Sequence, residues 1–183
     1  MPPKPRRPAR SADPAAILWA PWRYAYLVAA RPRGRPRCIF CYRQLSLAGR
    51  RQRLILYGDA HALVMLNRYP YNNGHLMVAP RRHVADLALL SGAERAALDR
   101  LIVHAVAQLR EVMRPAGFNI GANLGRVAGA GIADHLHWHI VPRWDGDTNF
   151  MPAIGATRVI SQHLAQCFEL LAPRFKAIET ALS

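Results

Sequence analysis

The sequence predicts an α+β fold, an antiparallel sheet with helices on one side, and three observations carry that prediction. Short apolar runs bounded by turn residues follow the order strand–strand–strand–helix–strand–strand. One long amphipathic helix separates the third run from the fourth. In the last run, His135-Leu136-His137-Trp138-His139-Ile140-Val141, histidine and apolar residues alternate with the period of two that belongs to a pleated strand.

The elements follow in order. Leu54–Tyr57 and Ala60–Leu66 read as strands around a Gly58-Asp59 turn, and His75–Ala79 as a third strand after a Pro70–Gly74 turn. Ser91 opens the helix, because Glu94 stands three residues on and completes a capping box. Ala97, Leu98, Leu101, Ile102, Ala105 and Leu109 recur at helical spacing and form its buried stripe. Pro115-Ala116-Gly117 ends it. Phe118–Asn123 and Leu136–Pro142 are the last two strands. A second amphipathic helix is predicted from about Gln162 to Ile178, interrupted near Pro173.

At 183 residues the chain can bury one sizeable core and carry tails. Its net charge of +14 is unevenly spread. Residues 1–53 hold 13 of the 25 basic residues and a single acid, Asp13, which leaves +12 there and +2 in the remainder. The arm MPPKPRRPARSADP is rich in proline and arginine and is expected to be disordered. A Pro- and Arg-rich linker spans Arg31–Arg37. A basic tail can meet nucleic acid, but no aromatic-interleaved RNA motif or zinc-finger pattern accompanies it, so nucleic acid is not expected as a partner. Neither a signal-peptide core nor a membrane span is present: Ala15–Ala30 is interrupted by Pro21 and Arg23 and is too short. The expected location is the cytoplasm. Three cysteines, two of them in Cys38-x-x-Cys41, suit a metal or redox site better than a disulfide framework.

Period-two alternation places the three imidazoles on one strand face, roughly 6.5–7 Å apart in succession. Two functional readings fit. Imidazole is a common zinc ligand, and it is also a nucleophile or general base near neutral pH. A solvated face without chemistry is the bland alternative.

The flanking residues favour one family. His-φ-His-φ-His-φ-φ, with φ apolar, resembles the signature of the histidine triad superfamily of nucleotidyl hydrolases and transferases. Asn67-Arg68-Tyr69-Pro70 and Asn73-Gly74-His75-Leu76-Met77-Val78-Ala79-Pro80 are similar to its upstream nucleotide-site strand. Phe118–Gly125 and Ala128-Gly129-Ala130-Gly131 resemble its glycine-rich approach to the triad. Leu18-Trp19-Ala20-Pro21-Trp22-Arg23 and Pro142-Arg143-Trp144-Asp145-Gly146-Asp147-Thr148-Asn149-Phe150 resemble the bacterial branch that includes diadenosine tetraphosphate phosphorylases. The resemblance implies a histidine-triad fold: a five-stranded antiparallel sheet with a long helix and a C-terminal helix, joined into a ten-stranded sheet in a homodimer. The implied plan is a basic arm at 1–16, the domain at 17–165, and a helical tail at 166–183 packed on it.

By the same resemblance, the substrate is a (di)nucleoside polyphosphate cleaved at the α-phosphate. His137 is the attacking imidazole and His139 donates to a nonbridging phosphate oxygen. Asn67 stands at the ribose position, Asn123 and Gly131 lie beside the phosphates, and His75 supports the triad from behind. The Gly125–Gly131 run would let backbone N–H groups approach phosphates. Two departures narrow the substrate. Ile132 replaces the hydroxyl that amine-expelling members use, which leaves low-pKa phosphate leaving groups. The glycine loop is one residue longer than in the dinucleoside triphosphate hydrolases and lacks their glutamine. It also reads Gly129-Ala130-Gly131 where some phosphorylases carry a serine.

On residues alone, Cys38-x-x-Cys41 is a redox pair, an incidental pair, or half of a zinc site. Zinc-containing relatives complete the site with a histidine after the upstream strand and the first triad histidine; the matching residues are His83 and His135. The implied cofactor is a structural zinc on Cys38, Cys41, His83 and His135. His61, His104 and His163 read as surface or packing residues and Cys167 as a buried helix residue. Two alternatives stay open: a zinc-dependent hydrolase with all three triad histidines as ligands, and a nucleotide-binding protein without turnover.

Overall fold

A computed structural model describes residues 38–42, 46–148, 160 and 162–181. The basic arm, the Arg31–Arg37 linker, the Leu18–Arg23 motif and the end of the Pro142–Phe150 motif lie outside the described residues. Five strands form one antiparallel sheet in the order β1-β2-β3-β5-β4. They are β1 Ile55–Gly58, β2 Ala62–Leu66, β3 Leu76–Pro80, β4 Gly117–Ala122 and β5 Trp138–Arg143. Among the described residues three α-helices accompany them: α1 Leu47–Arg53, α2 Gly92–Met113 and α3 Leu164–Ala181. The α+β architecture agrees with the sequence.

Several boundaries differ. Helix α1 has no apolar stripe and escaped the periodicity argument; Ser46 caps it by accepting from the Gly49 N–H. Strand β2 starts two residues late because the Asp59 carboxylate accepts from the backbone N–H groups of His61 and Ala62, closing an Asx turn there. Helix α3 runs unbroken through Pro173, where an interruption was expected. Its Cys167, Phe168, Leu171 and Phe175 lie in the main core, and that burial holds the helix across the lost hydrogen bond.

The sheet has two unequal faces. On one, Val64, Leu66, Leu76, Val78 and Ile140 meet Leu98, Leu101, Ala105 and Leu109 of α2 and the core residues of α3. On the other, Ile55, Leu63, Met65, Met77 and Ala79 form a smaller cluster capped by Phe40. Strands β2 and β3 are thus buried on both sides, which explains why they read as continuous apolar runs. The predicted capping box of α2 is present: Ser91 Oγ accepts from the Glu94 N–H and a Glu94 oxygen accepts from the Ser91 N–H. Glu94 also grips Arg82 at 2.9 and 2.8 Å, which fixes the stretch that carries His83.

Strand β5 begins at Trp138, so of the three alternating histidines only His139 lies in the ladder, opposite Met77 of β3 and Gly121 of β4. The expected strand start at Leu136 is therefore corrected. Its β3 neighbour ends at Pro80, which brings no N–H to continue the pairing. Upstream of Trp138 the chain bonds elsewhere: the Leu136 N–H donates to the Val84 carbonyl at 2.7 Å.

Candidate active site and metal cluster

Because His135 and His137 precede the ladder, individual hydrogen bonds set their rings. The His137 Nδ1–H donates to the His135 carbonyl at 2.8 Å. A carbonyl only accepts, so His137 carries its proton on Nδ1 and keeps a lone pair on Nε2. Burial pushes its pKa below the ordinary value, which keeps the ring neutral at pH 7.

His139 has the opposite tautomer, for a reason that begins in the turn before β3. The Tyr71 backbone N–H, a pure donor, donates to His75 Nδ1 at 3.0 Å, and Asn67 Nδ2 approaches the same atom at 3.3 Å. His75 must then carry its proton on Nε2, and it donates to His139 Nδ1 at 2.9 Å. The proton of His139 is left on Nε2. Burial holds His139 down to about 4, with His137 adding to the effect. His75 is itself fully buried, with the Tyr71 ring stacked on it at 4.8 Å. The His137 and His139 rings meet edge to face at 4.9 Å. A neutral acceptor and a neutral donor thus stand side by side.

The turn that delivers His75 is fastened at both ends. Gly74 has φ +69°, the left-handed conformation that favours glycine, and a Cβ there would press on the flexible Met113 side chain, whose Sδ lies 2.6 Å away. Asn72 Nδ2 donates to Asp147 at 2.8 Å and to the Pro142 carbonyl at 3.1 Å. Asp147 takes a bidentate pair from Arg143 at 2.6 and 2.7 Å, which holds its carboxyl far below the usual carboxylate range.

His135 belongs to a second group. Its Nε2–H donates to the Pro80 carbonyl at 2.8 Å, turning Nδ1 toward Cys38 Sγ at 3.3 Å, Cys41 Sγ at 3.5 Å and His83 Nδ1 at 3.2 Å. The four candidate ligand atoms of Cys38, Cys41, His83 and His135 all lie within 4.8 Å of one another. A tetrahedron with zinc–ligand bonds of about 2.0–2.3 Å has edges of roughly 3.3–3.8 Å, so these separations suit one ion. Burial and the neighbouring Cys38 push the Cys41 thiol up to about 11.

The structure therefore sorts the nominated residues. His75, His137, His139 and Asn67 converge in one group, and Cys38, Cys41, His83 and His135 in another. Both polar ends of Asn67 are used inside the chain, since Oδ1 also accepts from the Tyr69 N–H at 2.9 Å. Asn123 is half-buried and Gly131 exposed, and among the described residues no hydrogen bond joins either to the triad. The glycine run folds back on itself: the Gly129 N–H donates to the Arg126 carbonyl and the Ala130 N–H to the Gly125 carbonyl. Those two amides are taken up inside the loop. His104 packs edge-on against Phe175 at 5.2 Å. Sequence reasoning missed Phe40 and Tyr71, and quoted Arg143 and Asp147 in the motif after the triad without assigning their pairing. Only position could have flagged the two aromatics, between two cysteines and in the turn before His75.

Comparison with known proteins agrees with this fold. The AP-4-A phosphorylase of Mycobacterium tuberculosis is 40% identical over 164 residues, spanning 87% of this chain and 84% of that protein. A zinc-bound histidine triad family protein of Mycobacterium smegmatis has a similar fold, with TM-score 0.55 and 24% identity over 70% of this chain and 87% of that one. The diadenosine triphosphate hydrolase of Plasmodium falciparum shares it at TM-score 0.55 and 18% identity, over 71% and 79% of the two chains. The HIT domain model matches residues 49–146, and the chain belongs to that family.

Proposed function

We propose that this chain is a nucleotidyl hydrolase or transferase that cleaves (di)nucleoside polyphosphates such as diadenosine tetraphosphate at the α-phosphate, through a nucleotidyl-His137 intermediate. The opposed tautomers of His137 and His139 carry this reading. His137 Nε2 forms a bond to the α-phosphorus while the phosphoanhydride P–O bond breaks and the nucleoside polyphosphate leaves as an anion. The resulting imidazolium keeps its Nδ1–H on the His135 carbonyl. His139 Nε2–H faces the charge that develops on the phosphoryl oxygens. Water or inorganic phosphate then attacks phosphorus, the N–P bond breaks, and His137 returns to its starting state. Ile132, with no hydroxyl to offer, suits a leaving group that departs unprotonated. The 40% identity to a phosphorylase across most of both chains supports the same substrate class. Family resemblance adds Asn67, Asn123 and Gly131 to the nucleotide's surroundings.

The Cys38, Cys41, His83 and His135 cluster fits zinc, and four protein ligands make it a closed, structural site that ties the cysteine segment to the sheet. The alternative with three triad histidines as ligands is not favoured, because His135 turns its free Nδ1 toward the cysteines and His139, accepting at Nδ1, keeps its proton on Nε2 and has no lone pair to offer. A homodimer through β4 fits the same picture: β4 is one of the two sheet edges, and Ile120 there is 48% exposed. Among the described residues no helix is long and apolar enough to cross a membrane, and we place the activity in the cytoplasm. Product analysis with diadenosine tetraphosphate, with and without inorganic phosphate, tests the assignment. ADP plus ATP formed only with phosphate means phosphorolysis, and AMP plus ATP means hydrolysis. No cleavage under either condition sinks the proposal.

A further inference from the structure

Phe40 lies between Cys38 and Cys41 and is fully buried. Its ring stands 5.0 Å from the His135 ring and 4.9 Å from the His137 ring, inclined by 50° and 33°. Behind it are Ile55, Leu63, Met65, Met77 and Ala79, so it cannot retreat from the imidazoles without opening a void in that cluster. The turn that presents Phe40 is closed by the cysteines themselves, the Cys41 N–H donating to the Cys38 carbonyl at 3.2 Å. One wall of the His137 pocket is therefore a side chain whose backbone belongs to the metal cluster.

A second connection runs through a single peptide unit. The peptide between His135 and Leu136 gives its carbonyl to His137 Nδ1–H at 2.8 Å and its N–H to the Val84 carbonyl at 2.7 Å. A trans peptide is planar, with its N–H and C=O antiparallel, so anchoring the N–H aims the carbonyl. Both anchors adjoin cluster residues: His135 is one candidate ligand, and Val84 follows another, His83.

We propose that the Cys38/Cys41/His83/His135 cluster is a positioning device for the reacting imidazole, with Phe40 as its positioning residue. Phe40 holds the ring plane of His137, and the His135–Leu136 peptide holds its tautomer. A filled cluster keeps both fixed, while an empty one lets the ring turn and exchange its proton between Nδ1 and Nε2. The kinetic consequence rests on His137 as the nucleophile; the conformational one does not.

Nitrogen-15 NMR of the imidazoles in the nucleotide-free, zinc-loaded chain reads the tautomer directly, and it is run beside steady-state kinetics and metal analysis. Phe40→Ala is expected to keep its zinc, to move the His137 ring nitrogens toward a tautomer mixture, and to lower kcat by about 10²-fold with KM little changed. Phe40→Leu, which refills most of the space, should recover a large part of both. If Phe40→Ala does not fold, the chelated wild-type chain is read in the same way. Unchanged His137 ring resonances in folded Phe40→Ala, or after zinc removal, would overturn the proposal. A tautomer shift together with full turnover in His137→Ala would leave the positioning intact and remove the nucleophile assignment instead.

Discussion

His135 and His139 are the same residue type four positions apart, and the molecule uses them in opposite senses. His135 spends its Nε2–H on the Pro80 carbonyl and turns a lone pair toward two thiols. His139 accepts at Nδ1 from His75 and is left with its N–H on Nε2, whereas His137 keeps a lone pair on that atom. The role of each follows from what bonds its other nitrogen. A donor fixed behind the ring makes a donor in front, and an acceptor fixed behind makes a ligand or nucleophile in front.

Separating the two ends gives the largest expected effect. His137→Ala should lower kcat by at least about 10⁴-fold, as removal of an attacking group does. Zinc content and thermal midpoint should stay at wild-type values, which metal analysis and calorimetry check. A variant that lost its zinc would mean the two ends are not separable.

Cys41→Ser attacks the other end and should act on stability first. Chemical denaturation should show a loss on the order of 5 kcal/mol, below the ~10–16 kcal/mol of a zinc-finger peptide because this sheet keeps its own helical core. Unchanged stability with zinc absent would mean the cluster ties nothing down.

The smallest effect concerns pH. His139 is held at about 4 against an ordinary 6.5, so the unfolded chain binds this proton more readily than the folded one across that window. Stability therefore falls as pH drops from about 6.5 to about 4, by no more than roughly 2 kcal/mol for this one group because solvent reaching the ring screens part of the effect. His139→Gln removes the titration, and its denaturation curves should lose that much less over the same range. Parallel curves would show that the ring is not held neutral.

The triad, the cysteine pair and the capping box were legible because each is a short-range pattern. The α2 stripe was legible for the same reason: Leu98, Leu101 and Leu109 face one core. What stayed hidden depends on contacts distant in sequence. Alternation suggested three equivalent imidazoles on a strand, but ladder pairing stops at Trp138 because Pro80 cannot continue it. The interruption near Pro173 was expected from local chemistry and is overridden by Phe168, Leu171 and Phe175 in the core. Phe40 could not be assigned to either histidine from sequence, since 95 and 97 residues separate it from them.

The unequal faces of the sheet carry one last consequence. The larger core is sealed by two helices, whereas Ile55, Leu63, Met65, Met77 and Ala79 are roofed, among the described residues, by Phe40 with Cys38, Tyr42 and Ile132 beside it. Should that roof lift, a greasy strip opens along strands that remain fully paired. Such a molecule is folded yet adhesive, prone to clump with its own kind long before it unravels.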